Sequence, residues 1–336
     1  MRRGLTVGKF APLHAGHQLL IETALREVDQ LVVVIYDCPA TTNLPLPLRA
    51  AWLRDLYPTI RVIEAWDGPT EVGDTSAIKG MHEDYIINRL GIREISHFYS
   101  SEFYGEHMSA ALGAVNRLVD PNRVRLPISG TLVRSDPAHY RAWLHPRVYR
   151  DLISNIVLLG APSTGKTTLA QRLAATYRTV WMPEYGREYW ETHQTERRLT
   201  LAQLVEIAEG HLEREERLLL QADRYLFTDT NALTTAMFSL DYHGNLHPRL
   251  AELAHQAAAR YDVVVLCEDD IPYADTWDRS GAVQRQIFQK KIIADLLLRH
   301  IPFVRVRGTI EQRIAQVQAV LATHYPYQNL YDRQEQ

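Results

Sequence analysis

Cysteine is nearly missing from this chain: Cys38 and Cys267 are its only two in 336 residues. Each ends an apolar run, "LVVVIYDC" or "VVVLC", far from the other. That excludes a disulfide framework and suits a reducing, cytoplasmic setting. No apolar run approaches the roughly 20 residues a membrane span needs. The opening "MRRGLTVGKFAP" is interrupted by Lys9 and Pro12 too early for a signal peptide, so the chain is not expected to be a membrane protein. An excess of either charge is lacking as well, with 37 Lys and Arg against 40 Asp and Glu and a net charge of -3. No broad basic field is present to hold nucleic acid or an anionic membrane, and anion binding must be local. Short-period repeats and low-complexity tracts are also absent, which excludes solenoids and long disordered linkers.

What remains is an alternation of Val- and Ile-rich runs with longer stretches of helical period, the pattern of βαβ units around a parallel sheet. Strands are expected over Leu5 to Phe10, Leu31 to Tyr36, Ile60 to Glu64 and Ile95 to Tyr99, with helices near Gly16 to Val28, Leu48 to Leu56 and Ala77 to Leu90. Around His145 to Asn155 the polarity is mixed and a proline limits helix, and then a fresh apolar strand begins. The chain therefore reads as α/β with two domains, 1–150 and 151–336. In the second, strands are expected over Ile156 to Gly160, Thr179 to Met182, Tyr225 to Asp229, Val263 to Cys267 and Phe303 to Val306, with helices at Leu201 to Leu220 and Gln284 to His300.

The most specific motif is "NIVLLGAPSTGKTTLA", a strand, a glycine loop and a helix that satisfy G-x-x-x-x-G-K-[ST]. Gly160, Ala161, Pro162, Ser163, Thr164, Gly165, Lys166, Thr167 and Thr168 would wrap ATP phosphates with backbone N–H groups at a helix N-terminus. Lys166 would neutralise the β- and γ-phosphates, and the Thr167 hydroxyl would hold Mg²⁺. A phosphoryl transferase must also orient its acceptor. Glu184 and Arg187 in "PEYGREYWE" and Asp229 in "LFTDTN" stand at strand ends where α/β folds place ligands. Arg279 and Arg285, in "YADTWDRSGAVQR", are candidates to close over the transferred phosphate.

"VGKFAPLHAGHQLL" occupies the first strand-to-helix turn. Its histidines are spaced i, i+3 with no intervening glutamate and no nearby cysteine, which argues against a metal pair. Two readings remain. Backbone groups at a helix start can satisfy His14 and His17, with Gly16 as a tight turn. Alternatively both face a nucleotide triphosphate and donate hydrogen bonds as charge builds on phosphorus, which also accounts for Gly8, Lys9 and Phe10. The second reading requires another phosphate-binding element late in the domain. "PISGTLVRSDP" supplies Ser129, Thr131 and Arg134.

H-x-G-H followed by I-S-x-T-x-x-R resembles the nucleotidylyltransferase superfamily. The ordered set "GKFAPLHAGHQLLI", "LPLPLRAAWLRDLYP", "YSSEFYG", "ISGTLVRSDP", "GAPSTGKTTLA", "EYGRE", "FTDTN" and "YHGNLHP" resembles the bifunctional NadR family. That resemblance implies a Rossmann-like nucleotidylyltransferase sheet followed by a P-loop kinase sheet, with ATP as co-substrate and Mg²⁺ as cofactor. It implies phosphorylation of nicotinamide riboside and adenylylation of nicotinamide mononucleotide to NAD. It places Gly8, Lys9, Phe10, His14, His17, Ser129, Thr131 and Arg134 around one ATP, with His14, His17 and Arg134 catalytic. In the second half Lys166 and Asp229 are the implied catalytic pair, and Trp181, Glu184, Tyr185, Arg187, Asp229, Asn231 and Tyr242 the riboside site. Some members carry an N-terminal helix-turn-helix domain; with seven residues before Gly8, no DNA-binding segment is expected here.

Three departures fall in the second half. Asn231 stands where D-T-D would place its last carboxylate, Pro183 stands where a tryptophan precedes E-Y-G-R-E, and the lid reads "ADTWDRSG". They keep open a second domain that binds ATP as a sensor without transferring phosphate. The analogous adenylyltransferase–kinase fusion of coenzyme A synthesis is the other alternative, and "EYGRE" and "YHGNLHP" argue against it. Small molecules are thus the expected partners, and the sequence leaves a homo-oligomer open.

Overall fold

The structure, a computed structural model, describes all residues except 103, 195–198, 273–280, 325 and 328–336, and the side chains of 281–283 are not described. The chain divides into two compact units, Met1–Tyr149 with Pro326–Gln336, and Arg150–Tyr325.

The first unit is built on β1 (Arg3–Gly8), β2 (Gln30–Tyr36), β3 (Arg61–Ala65), β4 (His97–Ser100) and β5 (Val115–Leu118), all parallel in the order β3-β2-β1-β4-β5. After Gln30 every residue of β2 is buried, as a strand covered on both faces requires. On one face Leu5, Val7, Val32, Val34 and Phe98 pack with Tyr85, Ile86 and Met108. Burying each such side chain contributes about 1.5–3 kcal/mol. Helix Ser76–Asp84 continues into one π-helical turn, Tyr85–Arg89, so the single helical stretch expected there has two geometries. The chain winds outward from β1 to β3 and then returns to place β4 on the other side of β1. That reversal opens a crevice at the carboxyl ends of β1 and β4, where such sheets bind ligands.

The second unit has β6 (Ser154–Leu159), β7 (Trp181–Met182), β8 (Tyr225–Asp229), β9 (Val263–Cys267) and β10 (Val304–Val306) in the parallel order β10-β9-β6-β8-β7. Period-two alternation along the buried strands serves two cores. Val157, Leu159, Val264 and Leu266 pack under Leu204, Ile207, Leu250 and Phe288, whereas Ile156, Leu158, Phe227 and Val265 meet Leu169, Leu173, Val317 and Leu321. β6 thus stands at the centre, with the glycine loop leaving its carboxyl end. Among the described residues no helix is long and apolar enough to cross a membrane.

Candidate functional site

In the first unit β1 ends at Gly8, and the chain turns through a Phe10 held at φ 47° before entering helix Ala15–Glu27. His14 is the N-cap of that helix: its Nδ1 accepts from the Gly16 N–H at 3.1 Å, and His17 Nδ1 accepts from the His14 N–H at 3.4 Å. The backbone reading of the histidine pair is therefore realised, and it does not compete with the anion reading. A neutral ring that accepts through Nδ1 carries its proton on Nε2 and remains a donor. The rings stack with centroids 3.8 Å apart. Burial, with Arg123 and Arg134 nearby, lowers the His14 pKa to about 4. Burial, His14 and Arg123 push His17 well below its ordinary value, against a hydrogen bond with the Pro12 backbone. Both rings are neutral at neutral pH.

A lowered folded-state pKa means that the unfolded chain takes up the proton first as pH falls. Above pH 6.5 His14 contributes nothing to the pH dependence, and between 6.5 and 4 it costs the fold stability that grows to about 3 kcal/mol. His14→Asn, which preserves an N-cap acceptor without titrating, should leave stability at pH 7 nearly unchanged and flatten this acid slope. Urea denaturation at pH 7 and pH 5 checks it.

The crevice is a cavity of about 330 Å³ whose walls include Gly8, Lys9, Phe10, His17, Ser129, Thr131 and Arg134, while His14 stands behind His17, outside the lining. Ser129 caps helix Gly130–Ser135 by accepting from the Leu132 N–H. Arg134 donates to the Ala11 carbonyl at 2.6 Å and to Thr131 Oγ1 at 3.2 Å, tying that helix to the turn after β1. The approach needs Gly130, because a Cβ there would lie 3.0 Å from Arg134 Nη1 and 3.1 Å from the Ala11 carbonyl oxygen. Lys9 Nζ donates to Thr41 Oγ1 at 3.0 Å. Tyr104, from "YSSEFYG", lines the cavity too; Tyr36, Glu71, Ile78, Lys79, His82 and His107, which belong to no quoted motif, extend it, and Arg123 adds a cation beside both histidines.

Arg49 was also not legible as a site residue. It is fully buried, and it donates to the carbonyls of Lys9, Tyr36 and Leu44 at 2.5, 3.0 and 2.9 Å. The turn that carries Lys9 is thereby fixed to the end of β2. Arg49→Ala strands three buried carbonyls and leaves Asp37, 3.5 Å from Nη2, without its ion-pair partner. The expected cost is about 3–5 kcal/mol, read as a lower denaturation midpoint of the first unit.

In the second unit the glycine loop bends where only glycine is comfortable: Gly160 has φ 147° and Gly165 φ 80°. A Cβ on Gly160 would lie 2.7 Å from the Cys267 carbonyl oxygen. The loop is braced from behind by Gln289, which accepts from the Ala161 N–H at 2.7 Å, and by Arg313, which donates to the Thr164 carbonyl at 2.7 Å. Arg285 takes part in this bracing, donating to the carbonyls of Ser163 and Ile271 from a position 4% exposed. It was expected to close over phosphate, and its guanidinium holds the backbone of the loop that lines the cavity. Arg279 lies outside the described residues.

Pro162 to Thr168 and Gly160 line a cavity of about 290 Å³ together with Glu184, Arg187, Thr230, Thr234 and Phe238. Ala161 contributes from below, its carbonyl accepting from Thr164 Oγ1 at 2.8 Å and Lys166 Nζ at 3.0 Å. Thr167 Oγ1 donates to Asp229 Oδ2 at 2.5 Å. Asp229 is fully buried, and its Oδ1 has no hydrogen-bond partner among the described residues. Burial raises its pKa against the pull of Lys166 and Thr167. Glu184 is raised too, by burial and then by Asp229, although Arg187 Nη2 lies 3.6 Å from its Oε2. A hydroxyl and an unpartnered carboxylate oxygen beside a phosphate cradle fit a hard divalent cation held mainly by phosphate and water.

A smaller cavity, about 40 Å³, shares Glu184, Thr230, Thr234 and Phe238 with the first and adds Trp190, His211, Asn231 and Tyr242. Asn231 caps helix Ala232–His243, its Oδ1 accepting from the Leu233 N–H at 3.0 Å. Two expected riboside residues are placed elsewhere. Trp181 packs with Tyr177 against the core that contains Leu169 and Phe227. Tyr185 faces helix Leu201–Leu219, with the Arg214 guanidinium 4.0 Å from its ring centroid. Trp190 and Phe238 supply aromatic walls that the sequence analysis did not assign.

Known families match both halves of the chain in the same order. The cytidylyltransferase-like family model matches residues 5–136, and an AAA domain model matches residues 155–313. The trifunctional NAD biosynthesis/regulator protein NadR of Escherichia coli is 30% identical over 328 residues, spanning 90% of this chain and 78% of that protein. Crystal structures of NadR protein in complex with NR, and in complex with NAD and AMP-PNP, are 21% and 20% identical with TM-scores of 0.58 and 0.57, each comparison covering 98% of both chains. At that identity they establish the likeness of fold.

Proposed function

Because the chain belongs to the NadR family, we propose that it is a bifunctional enzyme of NAD salvage, a nucleotidyltransferase in its first unit and a kinase in its second. The second unit phosphorylates nicotinamide riboside with ATP, and the first adenylylates the resulting mononucleotide to NAD.

One observation carries this reading. Each sheet presents a phosphate-receiving turn at the carboxyl end of its central strand, and the chemistry beside the two turns differs. Beside the first, His17, Lys9 and Arg134 line the cavity as donors. A phosphate oxygen of the mononucleotide attacks the α-phosphorus of ATP, the bond from that phosphorus to the bridging oxygen breaks, and pyrophosphate leaves. His17, Arg134 and Lys9 hold and neutralise the phosphates throughout. Beside the second turn stands Asp229, which accepts the proton of the riboside 5′-hydroxyl as that oxygen attacks the γ-phosphorus and ADP departs. Glu184 and Arg187 orient the acceptor, and the ring faces Tyr242. The Thr167 hydroxyl would hold Mg²⁺ together with the phosphates, and the cation would supply charge neutralisation there.

Purified protein given ATP, Mg²⁺ and nicotinamide mononucleotide should form NAD; absence of NAD would end the adenylyltransferase reading. Given nicotinamide riboside and γ-labelled ATP, it should form labelled mononucleotide. A second unit that only senses ATP would leave the riboside unlabelled.

A further inference from the structure

The turn that follows β5 carries a cation that the adenylyl transfer described above leaves without a role. At the carboxyl ends of β4 and β5 the Val119 N–H donates to the Ser100 carbonyl at 2.8 Å, and the chain then runs through an exposed turn, 120–126, to Ser129 and the helix it caps. Two residues of that turn adopt left-handed backbone, Asp120 at φ 49° and Arg123 at φ 52°. Aspartate tolerates that region, whereas arginine seldom enters it. Asp120 holds the conformation. Its carbonyl accepts from the Arg123 N–H at 2.9 Å, its Oδ1 from the N–H groups of Val124 and Arg125 at 2.9 and 3.1 Å, and its Oδ2 from that of Leu126 at 3.0 Å. Although desolvation opposes ionisation, these N–H groups keep the Asp120 carboxyl below its ordinary pKa, so the clamp is a carboxylate at neutral pH. Strained backbone held in an exposed turn points to a side chain that must be aimed, and Arg123 lines the first cavity.

The lysines and the other arginine of that wall are already engaged. Lys9 Nζ donates to Thr41, Lys79 Nζ pairs with Asp74 at 2.6 Å, and Arg134 donates to the Ala11 carbonyl and to Thr131. The Arg123 guanidinium makes no hydrogen bond among the described residues. Its Nη2 stands 3.7 Å from Oε1 of Glu102, which lines the same cavity from the segment after β4. Both side chains are about half exposed, so the pairing is weak, and a polyphosphate bearing several charges outcompetes it. The reaction needs such a charge. His14 and His17 are neutral, so they can donate hydrogen bonds but bring no full positive charge to the pyrophosphate, whose own charge grows as its bond to the α-phosphorus breaks.

Resting on the adenylyltransferase half of the reading above, we propose that Arg123 exchanges Glu102 for the pyrophosphate portion of ATP and stabilises it as the leaving group. Arg123 is then a further catalytic residue of the first unit, Asp120 a positioning residue that acts through it, and Glu102 the carboxylate that competes with phosphate for the guanidinium. The same contact serves the reverse reaction. There a pyrophosphate oxygen attacks the adenylyl phosphorus of NAD, the bond from that phosphorus to the bridging oxygen breaks, and the mononucleotide departs with that oxygen as ATP forms.

The test follows both directions in the full chain with Mg²⁺: NAD formation from ATP and the mononucleotide, and ATP formation from NAD and pyrophosphate. Arg123→Gln should lower kcat/KM for ATP by about 10²-fold. In reverse it should raise the KM for pyrophosphate about tenfold, while the KM for the mononucleotide changes far less. Arg123→Lys, which keeps the charge and loses the planar fork, should recover part of both losses. Glu102→Gln should lower the KM for pyrophosphate, since the competing charge is gone. Asp120→Ala should slow NAD formation in the native background and add little in the Arg123→Gln background, because the two residues act as one unit. Riboside phosphorylation controls for the second unit, and a cooperative melt controls for the first. If Asp120→Ala melts without cooperativity, the Arg123 variants decide. Unchanged kinetics for ATP and pyrophosphate in Arg123→Gln, or an equal loss toward the mononucleotide, overturns this proposal alone. Absence of NAD formation by the unaltered chain overturns the adenylyltransferase reading and this proposal with it.

Discussion

Asp229→Asn is expected to slow riboside phosphorylation by about 10²–10⁴-fold, the range of a lost general base, while NAD formation from added mononucleotide is unchanged. The same substitution should raise the melting temperature of the second unit. Asp229 is fully buried with one oxygen unpartnered, and burial raises its pKa despite Lys166 and Thr167. For a carboxyl group so raised, the ionised form is less stable in the fold than in the unfolded chain. The penalty is absent below the unfolded value of 3.8, grows as pH rises from there toward the folded one, and is complete above it. At neutral pH the native chain bears that penalty, and asparagine does not. Glu184, whose own pKa is raised in part by Asp229, is relieved at the same time. The two melting curves should therefore differ most at pH 7 and converge toward pH 4. A variant that melts lower than the native chain at pH 7, or that keeps its kinase rate, would remove Asp229 from the role of base. Stability forgone at a functional carboxylate is the ordinary cost of a pre-organised site.

The architecture was legible because its central strands are covered on both faces and are therefore continuous apolar runs. β2, β6, β8 and β9 can be recognised without any knowledge of their partners. β5 gives no such signal, since all four of its residues are exposed at a sheet edge. The glycine turns after β1 and β6 were legible for a different reason: glycine spacing and strand-to-helix context are local properties. What surrounds the phosphates is not local. Arg123 reaches the histidines from a loop, and His211 comes from the middle of a long amphipathic helix whose period explains it equally well as core. Trp181 and Tyr185 show the converse failure, for proximity in sequence to Glu184 did not bring either ring into the cavity. Asn231 looked like a missing carboxylate, and the fold uses it as a helix cap, a position where Asn and Asp are equally effective.

Lys166→Ala and His17→Ala are expected to separate the two reactions completely. Lys166 is the one lysine of the glycine loop, 8% exposed and 3.0 Å from the Ala161 carbonyl oxygen. Without it the γ-phosphate loses its principal cation, and riboside phosphorylation should fall by about 10²–10³-fold or more. His17→Ala should depress adenylyl transfer by a similar factor through loss of a cavity-facing donor. It also removes the acceptor for the His14 N–H, a weaker structural effect at 3.4 Å. His17→Glu distinguishes the two losses, because glutamate at the third helical position keeps the reciprocal cap but brings a negative charge toward phosphate. Adenylyl transfer should stay depressed in His17→Glu while the melt recovers. Supplied with nicotinamide riboside and ATP, Lys166→Ala should accumulate nothing, and His17→Ala should accumulate the mononucleotide. A mixture of the two proteins should again form NAD, since each supplies the step the other lacks. Loss of both activities in either variant, with cooperative melting retained, would show that the chain does not hold two independent transfer sites.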